Sequence, residues 1–203
     1  MRALKSKLTQ PSVRVKKYQN GGPVDTDPPS AFDKFLAYTI KKKGGTAEQY
    51  ADLMNSIAFH ETGPQQRMSP NAVQLIERGD TLAPEGPGRG LFMFEIGDDM
   101  GGITAVNRTY KEYKDAGLEV PEFLEKAYAQ KSVDLSQYSP EQQKIIFLGN
   151  YLQHPKANFS KVMKGEESYE DFWFNYHQAG GDDVREARVS AFQESEKART
   201  KKK

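Results

Sequence analysis

The sequence predicts a mainly α domain, with room for a small β-hairpin and with basic, extended termini on either side. Three observations predict it. Apolar residues recur at helical spacing in segment after segment, and Ser30, Thr46 and Ser139 stand where such segments begin. No segment keeps the two-residue alternation of a half-buried strand. A hairpin fits only within residues 63–100, which are rich in Gly, Pro and polar groups.

Residues 1–17 have no sustained period, and Tyr18–Ser30 reads as a linker broken by Gly21–Gly22–Pro23 and Pro28–Pro29. Ser30 caps a first helix carrying Phe32, Phe35, Leu36 and Ile40, which ends at Gly44–Gly45. Thr46-Ala-Glu-Gln49 is a capping box, so a second helix runs from about Ala47 to Thr62 with Tyr50, Leu53, Met54, Ile57 and Ala58 on one stripe. Gly63–Pro64 is expected to stop it. A short helix is expected over Asn71–Arg78, then a loop over Pro84–Gly90 leading into apolar Leu91–Phe94. Helical patterns resume at Thr104–Ala116, Pro121–Lys131 and Pro140–Leu152, the last with Ser139 as cap and Pro at its first position. Further helices are expected over Tyr169–His177 and Asp183–Arg199. The division expected is a basic arm and linker (1–29), one domain (30–182), and a C-terminal helix with a basic tail (183–203).

The 203 residues suffice for one core but not two. No run of 18 apolar residues is present to span a membrane, and the basic start of the chain has no apolar stretch behind it to form a signal peptide. Cysteine is absent, which excludes disulfides, thiol catalysis and thiolate metal sites. The net charge of +1 hides an asymmetry: residues 1–17 carry +6, residues 185–203 carry +4, and the acidic body between them carries −9. Basic ends of this kind suit DNA, acidic partner proteins or simple solvation.

Glu61 is the candidate catalytic residue. It continues the apolar stripe, four residues after Ile57 and eight after Leu53. Burial there disfavours the carboxylate, and so does the negative end of the helix dipole. Both favour the protonated form that a general acid needs near neutral pH. Two further patches offer a binding surface. The turn ending in Gly90 permits close backbone approach to a ligand, and Leu91, Phe92, Met93 and Phe94 follow as a groove wall for a sugar ring. Near the other end, Asn175-Tyr-His-Gln-Ala-Gly-Gly181 gathers donors and acceptors, chiefly Tyr176, His177 and Gln178, suited to hydroxyl and N-acetyl groups. No metal or other cofactor is expected. His60, His154 and His177 lack ligand spacing, Asp98–Asp99 and Asp182–Asp183 lack the alternation of a calcium loop, and Gly86–Gly90 lacks the Lys of a phosphate-binding loop.

The order of these patches resembles that in soluble lytic transglycosylases and goose-type lysozymes, in particular phage-type members. Ile57-Ala-Phe-His-Glu61-Thr-Gly is similar to the family's catalytic helix end, with Thr62 in place of Ser. Gly88-Arg-Gly90-Leu-Phe-Met-Phe94 resembles the family's Gly-Leu-Met-Gln segment, with Phe92 and Met93 at the Met and Gln positions. Tyr176-His-Gln-Ala-Gly180 resembles the family's Tyr-Asn-Ala-Gly and the His-Gln-Gly ending of phage lysozyme-like domains. Ser139-Pro-Glu-Gln-Gln143 also fits those domains. The resemblance covers about residues 31–181. It implies a lysozyme-like helical fold and one catalytic Glu acting on the β-1,4 bond between N-acetylmuramic acid and N-acetylglucosamine. It implies peptidoglycan strands as substrate, and Thr62, Gly90 to Phe94, and Tyr176 to Gln178 as binding residues. A hydrolytic outcome would use a second carboxylate, for which Glu95, Asp98, Asp99, Asp182 and Asp183 are the candidates. Without a signal peptide, such an enzyme is expected in a virion, or in the host cytoplasm before delivery to the periplasm. The alternative is a virion structural or DNA-associated protein with a degenerate, non-catalytic body whose basic ends contact DNA or neighbouring subunits. A glycan-binding module without turnover is a third reading.

Overall fold

Helices dominate because most of the apolar surface lies on helical stripes that cover one another. The computed structural model describes residues 28–78, 81–84, 86–97, 101–177 and 184–201. The basic arm and linker expected at residues 1–29 falls, up to residue 27, outside these described residues. Among them the helices are α1 (Ala31–Lys43), α2 (Ala47–Gln66), α3 (Gly101–Asp115), α4 (Glu122–Tyr128), α5 (Pro140–Leu152), α6 (Phe159–Met163), α7 (Tyr169–Phe172) and α8 (Arg185–Thr200). Between α2 and α3 lie two antiparallel hairpins, β1 (Ile76–Arg78) with β2 (Thr81–Ala83), and β3 (Gly88–Arg89) with β4 (Phe94–Glu95). The mainly α class with a small hairpin component is the one the sequence predicts.

The caps act where they were expected. Ser30, Thr46 and Ser139 each accept from the backbone of the third helical residue, whose own side chain returns the bond. The core centres on α5. From Gln143 to Leu152 every residue but Lys144 is buried, so this helix has a core face almost all round. It lies against α3 at close range. A Cβ on Gly149 would come within 2.5 Å of the Thr109 side chain, whose hydroxyl donates to the Ala105 carbonyl (2.7 Å) and bonds the Ile146 carbonyl at 3.0 Å. Phe35 of α1 stacks on Tyr113 of α3 with ring centroids 4.4 Å apart, closing one side of the core.

Several elements depart from the sequence expectation. The helix expected over Asn71–Arg78 is absent. Its backbone is satisfied sideways instead: Gln74 N–H donates to the Gly88 carbonyl, Gly86 N–H to the Gln74 carbonyl and Gly90 N–H to the Ala72 carbonyl, and residues 76–78 form β1. The regular part of helix α2 breaks at Gly63 (φ 60°, ψ −178°), as expected, but a further turn follows it to Gln66. The five-residue α6, capped by Asn158, is too short for a period to reveal it. The helix expected over Tyr169–His177 is present over that whole range, α-helical to Phe172 and π-helical over Trp173–His177.

The largest correction concerns the boundary at residue 182. The sequence division leaves the C-terminal helix outside the domain and the C-terminus extended. Instead α8 packs on α2 and α7. Phe192 is fully buried, Glu196 accepts from the Ser56 hydroxyl at 2.9 Å, and Arg199 pairs with Asp52 at 2.9 Å. One buried Phe in four turns is too sparse a stripe for sequence to mark the helix as core.

Candidate active site

Glu61 lies near the kink in α2, where the regular helix ends at Gly63. The stripe that buries Leu53 and Ile57 carries it inward, and its side chain is only 12% exposed. Trp173, the single tryptophan of the chain, donates its indole N–H to Glu61 Oε1 at 2.5 Å. Burial holds the Glu61 carboxyl above its ordinary range; the indole bond, His60 and Arg188 pull the other way without cancelling it. The carboxyl is thus desolvated, as its place on the stripe predicts. Trp173 and His177, four residues apart on the π-helical turn, both reach Glu61.

His177 sits beside the carboxyl, its Nε2 3.6 Å from Glu61 Oε1, but both ring nitrogens are spent. Nε2–H donates to the Phe92 carbonyl at 2.6 Å, and Nδ1 accepts from the Tyr151 hydroxyl. That pattern requires the neutral ring, and burial pushes its pKa down to about 4. His177 therefore ties the turn before β4 to the back of the site. It has no N–H left for a ligand.

The other sequence candidates divide. Met93, at φ 47°, faces the site. Leu91, Phe92 and Phe94 are buried in the core and do not form a groove wall: Phe92 stacks on Phe147 at 4.3 Å, and Phe94 meets the His177 ring edge-on at 5.2 Å. Gly90 has a structural reason to be glycine. At φ 76° a Cβ would lie 2.4 Å from Gln143 Oε1, the atom that accepts from Leu91 N–H at 2.7 Å. Gln143 also donates to the carbonyls of Pro70 and Tyr138, both at 2.8 Å, and so clamps three loop segments together. Thr62 lines the site, but its hydroxyl donates to the Ala58 carbonyl and accepts from Met68 N–H, both at 2.7 Å. Tyr176 packs on Phe172 and His154, away from the lining. Glu95 is exposed on β4 and does not line the site. Gln178, Asp98, Asp99, Asp182 and Asp183 lie outside the described residues.

A pocket of about 420 Å³ opens over Glu61. His60, Thr62, Met93, Trp173 and Arg188 border it, with Gln65, Gln66 and Gln74 at the far side. Gln66 is locked to both backbone groups of Val73, and Gln74 accepts from Gly88 N–H, so these two amides shape the wall. Sequence reasoning missed Trp173, His60 and Arg188 as site residues. Trp173 had a signal, since it precedes the polar patch by two residues on the same predicted helix. Arg188 had none once α8 was set outside the domain. No model of a known protein family matches the chain, and neither does any curated protein or solved structure. Among the described residues, no helix is long and apolar enough to cross a membrane.

Proposed function

We propose that this protein cleaves peptidoglycan at the β-1,4 bond between N-acetylmuramic acid and N-acetylglucosamine, with Glu61 as the general acid. One observation carries most of the weight: a buried carboxyl, its pKa raised by desolvation, borders a pocket large enough for a sugar ring. The Glu61 proton passes to the glycosidic oxygen as the C1–O4 bond breaks. The indole N–H of Trp173 stabilises the carboxylate that results, at the moment its charge appears. Attack by the muramic 6-hydroxyl, which needs no second carboxylate, would give a 1,6-anhydro product. Delivery in a virion or release from the host cytoplasm accords with the phage-type resemblance, and the basic ends suit contacts with virion proteins or DNA.

The burial of Leu91, Phe92 and Phe94 favours a second reading, a non-catalytic virion or DNA-associated protein, because it removes the expected aromatic groove wall. Purified peptidoglycan incubated with wild type and Glu61→Gln separates the two. Anhydromuropeptides should be released by the wild type, and release should fall about 10²–10⁴-fold or more in the variant. Absence of release by the wild type would favour the structural reading, and equal release by both proteins would overturn Glu61 as the acid.

A further inference from the structure

Two histidines flank Glu61, and they are held in opposite states. His177 has its lone pair occupied by the Tyr151 hydroxyl. His60 does not. The Ser195 hydroxyl has one proton and two neighbours, the Phe192 carbonyl at 2.8 Å and His60 Nδ1 at 3.1 Å; given to the shorter contact, that proton leaves the Ser195 oxygen to accept from Nδ1–H. That arrangement puts the hydrogen of a neutral His60 on Nδ1 and the lone pair on Nε2. Nε2 has no hydrogen-bond partner among the described residues, and the ring borders the pocket over Glu61. Trp173, edge-on at 4.4 Å, and Phe192 at 4.9 Å fix the plane of the ring.

On the reading of this site as peptidoglycan-cleaving, we propose that His60 Nε2 is a second catalytic group, the base that takes the proton from the attacking hydroxyl. Glu61 gives its proton to the glycosidic oxygen and the C1–O4 bond breaks. The muramic O6–H loses its proton to Nε2 while O6 bonds to C1. The imidazolium then returns the proton to the Glu61 carboxylate, and both groups are restored. Acid and base border the same pocket, as a nucleophile arriving on the leaving-group face requires. Ser195 is a positioning residue, acting through His60 alone.

The groups that face His60 are Glu61 on its own helix, Glu196 on α8 and His177 on the π-helical turn, with Arg188 of α8 lining the same pocket. Burial holds the ring's pKa below its ordinary value, more than the nearby carboxylates raise it. Neutral pH thus leaves the ring unprotonated. The rate should fall as pH drops through the His60 pKa, because the base is lost, and fall again as pH rises through the Glu61 pKa, because the acid is lost.

The test is the pH profile of anhydromuropeptide release by the full-length chain. His60→Gln should lower the rate about 10²-fold or more and abolish the acid limb, leaving the alkaline limb in place. Ser195→Ala, a smaller change to the fold, should move the acid limb to lower pH, since an imidazolium donates the lost bond more strongly than a neutral ring. An acid limb unchanged in either folded variant, or His60→Gln within about twofold of wild type, would overturn the role of His60 while leaving Glu61 untouched. A wild type that releases no product overturns both.

Discussion

Around Glu61 each charge state is set by what the neighbouring atoms can still donate or accept. Replacing Trp173 by Phe keeps the ring but removes the N–H that stabilises the carboxylate. The Glu61 pKa should rise further, and the alkaline limb of activity should shift to higher pH with little change in melting temperature. His177 makes a stability prediction. Its pKa is about 4 when folded and about 6.5 when unfolded, so between those values the unfolded chain binds the extra proton. Folding stability that is present above pH 6.5 should therefore be lost as pH falls toward 4, on the order of 3 kcal/mol. Glu61, with its raised pKa, contributes with the opposite sign. Urea unfolding of wild type and His177→Gln across that range isolates the histidine, because only the wild type should show its share of the slope.

At the scale of elements, the caps and the Gln143 clamp bear different loads. Ser139→Ala removes one hydroxyl acceptor at an exposed helix start and should cost about 1 kcal/mol. Gln143→Ala strands Leu91 N–H and two carbonyls in a buried place, and a stranded group costs about 1–3 kcal/mol. Chemical denaturation should thus show a larger loss for Gln143→Ala than for Ser139→Ala, and Gly90→Ala should resemble the former, since its Cβ would displace the same amide. The capping boxes and the start of α5 were legible in sequence because a cap is a local bond between residues three apart. The strand at 76–78 was not, because its partners lie in the next strand and sequence period carries no trace of them.

At the scale of the whole molecule, the C-terminal helix joins core and site. It supplies Phe192 beneath Trp173 and His60, Ser195 to His60, and Arg188 to the pocket. Truncation after Val184 removes a fully buried Phe, a loss of about 3–5 kcal/mol for the side chain alone, and should abolish the cooperative thermal transition seen by circular dichroism. Deleting residues 1–27, which carry a net charge of +4 and few apolar groups, should leave that transition unchanged. Any binding of DNA or an acidic partner through those residues should weaken steeply with added salt.

The sequence by itself determined the helical class, the capped starts of α1, α2 and α5, and the buried carboxyl at position 61. These follow from contacts within a few residues and from the 3.6-residue period that turns a row of side chains inward. The tertiary structure alone decided that Leu91, Phe92 and Phe94 fill the core, that Trp173 reaches Glu61, and that α8 belongs to the body. Each of those depends on which surfaces meet across long separations in the chain. A single Phe, Trp or Gln with one buried contact leaves no periodic mark by which such a meeting could be foreseen.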